Sequence, residues 1–113
     1  MSADEIETRY CRFVDEVLNR RRLDRLAAYL TPDVVVHAAG VAPGLAGARR
    51  LLESYFAAFP DFHLTIQAVL ALDGELLARL RATGTHRGQL LGLAPTGRRV
   101  SIAAFAAWLL SVN

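Results

Sequence analysis

The stretch FHLTIQAVLALDGELLARLRATGTH, residues 62–86, decides the fold. From Phe62 the apolar residues recur at every second position: Phe62, Leu64, Ile66, Ala68, Leu70 and Leu72 alternate with His63, Thr65, Gln67, Val69 and Ala71. A period of two places alternate side chains on opposite faces, which is the pattern of a β-strand. Asp73-Gly74 follows at once, a pair that tolerates the positive φ angles of a two-residue hairpin turn. The returning strand sets Leu76, Ala78, Leu80, Ala82, Gly84 and His86 on one face, and Leu77, Arg79, Arg81, Thr83, Thr85 and Arg87 on the other. His86 therefore shares the apolar, core-facing side.

Past the hairpin, Gly92-Leu93-Ala94-Pro95-Thr96-Gly97-Arg98-Arg99 imitates a phosphate-binding loop, with two glycines five apart and then a basic residue. A phosphate loop needs Lys and Ser/Thr opening a helix whose N-terminal amides hold the anion. Here Arg98 is followed by Arg99 and a strand pattern, so the segment is a turn, with Pro95 presetting φ and Gly97 accepting a positive one. Gly84 and Gly88 mark a bend or a close approach of another backbone. The last strand runs from about Arg99 to Leu110, with Val100, Ile102, Ala104, Ala106, Trp108 and Leu110 on one face and Ala103, Phe105, Ala107 and Leu109 on the other. Apolar residues on both faces predict burial on both. Three helices cover only one face of a small sheet, so the other face is expected to meet a second subunit.

Those helices precede residue 62. Ser2 with Glu5 forms a capping box, after which Ile6, Tyr10, Phe13, Val14, Val17 and Leu18 recur at helical spacing. A second helix over about Leu23–Leu30 ends at Thr31-Pro32, because the residue before proline is pushed out of the helical region. Val34-Val35-Val36-His37 is β-branched and predicts a short strand. Gly40, Pro43, Gly44 and Gly47 mark a loop, and Leu51, Leu52, Tyr55, Phe56 and Phe59 form the apolar side of a third helix that stops at Pro60-Asp61. The expectation is one α+β domain over residues 1–113.

Composition narrows the function. Hydrophobic residues make up 53% of the 113-residue chain and charged residues 21%, which fits a packed globule and not disorder. All thirteen basic residues are arginines and the net charge is only +2, a weak basis for nucleic-acid binding. Arg20, Arg21 and Arg22 are the one dense cluster, placed where a helix junction meets solvent. Cys11 is alone, so no internal disulfide forms, and a reducing, cytoplasmic setting is expected. MSADEIE is acidic where a signal peptide would be basic, and no apolar run is long enough to span a membrane.

Among the histidines, His63 lies on the polar side of its strand. His37 and His86 sit in or at the end of strands among apolar neighbours, where each is either a satisfied core imidazole or a general base. No HxH, HExxH or Cys/His cluster supplies a metal site. Asp33, Asp61, Asp73 and Glu53 occupy element boundaries, a turn and a helix flank, and no acid falls on an apolar strand face where burial would raise its pKa.

The segments DVVVHAAG, FAAFPDFHLTI and DGELLARLRATGTHRGQLLGLAPTGRRVSI resemble the SnoaL-like polyketide cyclase, or ester cyclase, family of the nuclear transport factor 2-like superfamily. The likeness covers about residues 8–108, and Phe59-Pro60-Asp61, Gly84-Thr85-His86-x-Gly88 and Pro95-Thr96-Gly97 are its more specific markers. It implies a cone-shaped α+β barrel, a curved antiparallel sheet packed on three helices, and a homodimer formed through the sheet face. It implies an apolar pocket for a hydrophobic small molecule, and an intramolecular aldol closure of a polyketide ester that needs no metal or organic cofactor. Phe13, Tyr55, Phe56, Phe59 and Trp108 are then the aromatic side chains expected to bind substrate, with neither nucleic acid nor membrane as partner. In the family one further strand carries a catalytic aspartate, whereas this sequence reaches Asn113 without it. His37 or His86 would have to be the base. The alternative is a non-catalytic ligand-binding or dimerisation module of the same fold.

Overall fold

The computed structural model describes residues 2–36 and 40–109. Helix α1 spans Ala3–Phe13, capped by Ser2, whose hydroxyl accepts a hydrogen bond from the Glu5 N–H at 3.2 Å. The chain continues through Val14–Asn19 as a wider π-helical turn. That turn sets Val14, Val17 and Leu18 into the core and carries Asn19 to the sheet edge. There Asn19 donates to the Leu64 carbonyl at 2.9 Å and accepts from the Leu64 N–H at 2.8 Å. One side chain thus satisfies a strand's edge groups, which would otherwise be left unpaired.

The second helical segment opens as a tight turn over Leu23–Arg25 and becomes α2 over Leu26–Tyr29. Arg9 caps its C-terminal end by donating to the Ala28 carbonyl at 2.7 Å. The basic cluster before it is occupied internally: Arg20 pairs with Asp15 at 3.3 Å, Arg22 with Asp24 at 3.2 Å, and Arg21 lies over the Phe56 ring, 5.3 Å from its centroid. A solvated helix junction is therefore the better description than a polyanion site.

Two expectations in this half need correction. Val34–Val36 is not a strand, although Val34 and Val36 pack inward and Val35 is exposed, because no described strand lies beside it to complete a ladder. His37 lies outside the described residues. Helix α3 spans Gly44–Ala58 and so begins inside the expected loop. Gly47 belongs to its first turns, where a Cβ would sit 1.6 Å from the Ala42 carbonyl oxygen.

Strands β1 (His63–Leu72), β2 (Glu75–Thr85) and β3 (Arg99–Leu109) form an antiparallel sheet in the order β1-β2-β3. Asp73 and Gly74 have φ of 43° and 81°, so both turn positions are left-handed as the Asp-Gly pair predicts. The even alternation expected for β1 fails at its middle. Ile66 pairs with Leu80 and Ala68 with Arg79, so Gln67 is the extra residue of a β-bulge. Beyond it the phase reverses: Val69 and Ala71 turn to the core while Leu70 and Leu72 are 57% and 60% exposed on the opposite face.

The core lies between α1 with its π-helical extension and the inner face of the sheet, where Tyr10, Phe13, Val14 and Val17 meet Leu64, Leu76, Ala78 and Leu80. Burial of these side chains is worth about 1.5–3 kcal/mol for each large aliphatic one. β3 departs from its expected double burial within a single chain. Its inner residue Ile102, paired with Ala82, is 55% exposed, and its outer residue Phe105 is 72% exposed. Leu110 lies outside the described residues.

Candidate functional site

His86 continues the inner face two residues beyond Gly84 and is 6% exposed, the one buried polar side chain among the described residues besides the Tyr10 phenol. Three segments fix it. Its backbone N–H donates to the Arg98 carbonyl at 2.9 Å and its carbonyl accepts from the Gly97 N–H at 2.8 Å, so the β2–β3 ladder extends past the strands. Nδ1 lies 3.1 Å from the Thr96 hydroxyl. The Phe59 ring tilts beside the imidazole with centroids 5.6 Å apart. Nε2 is buried and has no hydrogen-bond partner.

The same few residues join α3 to the sheet. Arg87 and Gly88 both donate backbone N–H groups to the Ala58 carbonyl, at 2.9 and 3.1 Å, which satisfies the C-terminal end of α3. At Gly84 a Cβ would come within 2.9 Å of the Phe59 Cβ, so glycine there is what lets Phe59 close on the strand. Asp61 accepts from the Thr85 N–H at 2.6 Å and the Thr85 hydroxyl at 2.8 Å, with Arg99 at 3.7 Å. Those donors, the Thr85 backbone N–H first, hold its carboxyl below the usual carboxylate range. Asp61 and Thr96 were legible in the sequence as boundary and turn residues and as parts of the resemblance's markers, without a role for either side chain.

The aromatic residues expected to line one pocket fall into separate groups. Phe13 is buried in the core beside Tyr10 and edge-on to Tyr29, with ring centroids 6.4 and 5.6 Å away. Tyr55 and Phe56 pack on Phe62 at 6.1 and 5.9 Å. Phe59 alone among them stands against His86. Trp108 pairs with Leu76 at the hairpin end of the sheet, eight residues along β3 from Val100, hence about 26 Å away at the rise of a strand. The inner surface between these ends is floored by Ala82, Val100, Ile102, Ala104 and Ala106, mostly small side chains left part-open.

Other reactive groups offer less. Cys11 is exposed on α1, yet partial desolvation of its thiol, with the Glu7 charge beside it, pushes the thiol up, away from the thiolate a nucleophile needs. Burial, with Cys11 as a smaller cause, pushes the Tyr10 phenol to about 12. His63 is exposed, as its place on the polar alternation predicts. Among the described residues no three of His, Cys, Asp and Glu come close enough to hold a metal ion. One depression on α1, about 480 Å³, is lined by Asp4, Glu7, Thr8, Cys11, Arg12 and Asp15. Its walls are mostly charged side chains on a solvent face, unlike the apolar concavities that hold small molecules.

Helices packed on one face of an antiparallel sheet, with a buried imidazole at the sheet's end, define an α+β domain of the nuclear transport factor 2-like type. The chain belongs to the SnoaL-like polyketide cyclase family, whose model matches residues 8–108. Among solved structures it is similar to TsrD from Streptomyces laurentii, with 21% identity over 98% of this chain and 82% of that one at a TM-score of 0.90. AclR from Streptomyces galilaeus gives 27% identity over 97% and 73% of the two chains at a TM-score of 0.84. A SnoaL-like polyketide cyclase from Agrobacterium tumefaciens gives 24% identity over 98% and 84% at a TM-score of 0.82. No curated protein sequence matches the chain. No helix among the described residues is long and apolar enough to cross a membrane.

Proposed function

We propose that the protein is a cyclase-type enzyme that uses acid/base chemistry, without a cofactor, on a hydrophobic oxygenated small molecule, with His86 as its base. The observation that carries this reading is the orphaned Nε2 of His86, buried and facing no protein partner. A buried polar atom left unpaired costs about 1–3 kcal/mol, and such a cost persists where the atom is kept for another use. An aldol closure begins with removal of a proton next to a carbonyl, a step that a neutral imidazole performs. The apolar floor along Ala82, Val100, Ile102, Ala104 and Ala106 would hold the carbon skeleton.

The test is exchange of the acidic C–H of an aryl 1,3-dicarbonyl ester in D2O, followed by NMR, with His86→Gln and His37→Gln alongside. The parent should catalyse exchange, and His86→Gln should lower the rate by about 10²- to 10⁴-fold, the usual contribution of a positioned base. Binding of the ester without exchange by the parent would overturn the enzymatic reading.

A homodimer through the outer sheet face belongs both to this reading and to its alternative, a non-catalytic dimerisation and binding module, and the exposed side chains of that face support it. Leu70, Leu72, Leu77 and Phe105 are all more than half exposed there. A homodimer through this face would cover them. Sedimentation of the parent and of Phe105→Arg decides: a dimer dissociated by the substitution supports the face, and a monomeric parent refutes it.

A further inference from the structure

We propose that Thr96 is a positioning residue that keeps the proton of the neutral His86 ring on Nδ1 and so leaves the lone pair of Nε2 bare. The catalytic consequence rests on His86 being the base; the proton's location does not.

Thr96 is held by its turn. Pro95 locks the preceding φ, and Gly97, at φ 70°, returns its N–H to the His86 carbonyl at 2.8 Å. The Thr96 hydroxyl stands 3.1 Å from Nδ1 and accepts the Arg98 N–H at 3.3 Å. A hydroxyl has one proton and two lone pairs, and the Arg98 N–H takes one lone pair. Two arrangements remain. If the hydroxyl donates to Nδ1, the ring proton sits on Nε2, where it is a buried donor with nothing to meet. If Nδ1 donates to the second lone pair, the Thr96 hydroxyl proton turns outward to solvent, which reaches this exposed residue. Every donor is then satisfied, and the single unmet group is an acceptor. Orphaned buried N–H groups are rarer than under-used acceptors, so the second arrangement is the more stable one. It is also the one a base requires, because the atom that attacks a C–H must not carry a proton.

The proton's location is read directly from ring ¹⁵N shifts, in which a bare nitrogen resonates far downfield of a protonated one. With His86 signals assigned by their loss in His86→Gln, the parent should show Nδ1 protonated and Nε2 bare. Thr96→Val removes the hydroxyl at nearly constant shape and should move the population toward Nε2–H, with the exchange rate of the 1,3-dicarbonyl ester falling about 5- to 10-fold, the weight of one hydrogen bond. Thr96→Ser should restore both. A parent with its proton on Nε2 overturns the proposal, and that spectrum decides it even if Thr96→Val fails to fold. Thr96→Val with unchanged ring shifts overturns it equally. The expected shifts in a parent that catalyses no exchange leave Thr96 its assignment and sink the base reading instead.

Discussion

Gly88→Ala is expected to be among the most destabilising single-carbon additions in the chain. An ideal Cβ at residue 88 would lie 2.2 Å from the Ala57 carbonyl oxygen, 2.9 Å from the Ala57 carbonyl carbon and 3.0 Å from the Ala58 Cα. All three are backbone atoms of the last turn of α3, so no rotamer change relieves the clash. Ordinary carbon–oxygen contacts begin at about 3.3 Å, hence the two segments must separate by about 1 Å. That separation stretches the bonds from Arg87 and Gly88 to the Ala58 carbonyl, now 2.9 and 3.1 Å. Overpacking costs about 1–3 kcal/mol and a weakened hydrogen bond about 1 kcal/mol, giving a loss of about 2–4 kcal/mol. At roughly 4 °C per kcal/mol for a domain of this size, Tm should fall by about 8–16 °C in a thermal unfolding curve followed by far-UV circular dichroism. Gly92→Ala is the control: its φ is 80° and its Cβ would meet nothing within 4 Å, leaving only the left-handed strain of about 1–2 kcal/mol. A Gly88→Ala protein no less stable than Gly92→Ala would refute the reasoning.

The bulge at Gln67 predicts opposite outcomes for adjacent residues. Leu70→Ala should cost about 0.5 kcal/mol or less in urea unfolding of dilute protein, while Ala71→Leu, at a buried position, should cost about 1–3 kcal/mol; the reverse order would mean that β1 alternates without interruption. Asp61 predicts an acid-limb effect. Its folded pKa is lowered, chiefly by the Thr85 N–H, so its contribution is present above the ordinary carboxylate value of about 3.9 and lost as pH falls through the lowered one. Tm measured against pH through the acid range should therefore fall less steeply for Asp61→Asn than for the parent, and superimposable curves would remove Asp61 from the joint.

The sheet was legible because its signals are local. Asp73-Gly74 set the hairpin, and the inward row of Leu76, Ala78, Leu80 and Gly84 carried His86 to the buried side as the alternation predicts. What was not legible depends on partners distant in sequence. Val34–Val36 has strand composition, yet a strand exists only when a neighbour completes its ladder. Gln67 has nothing in its local pattern to mark it as an extra residue, since the bulge is a matter of register against Leu80 and Arg79. Tyr55, Phe56 and Phe59 share one helix face in the sequence. In space two of them are taken by Phe62, and only Phe59 reaches the imidazole.

The markers that carried the family resemblance turn out to be one physical joint. Phe59 closes on Gly84 and His86, Asp61 binds Thr85, Gly88 admits the end of α3, and Thr96 meets the ring from the neighbouring turn. A sequence pattern of this kind is what a docking of helix on strand requires before any chemistry is asked of it. It follows that a loss of activity on substituting any of these residues has two sources, a loosened joint and a disturbed imidazole. They separate by the quantity that moves: Gly88→Ala should lower stability while the His86 ring proton stays on Nδ1 in the folded fraction, whereas Thr96→Val should move that proton by more than it moves Tm.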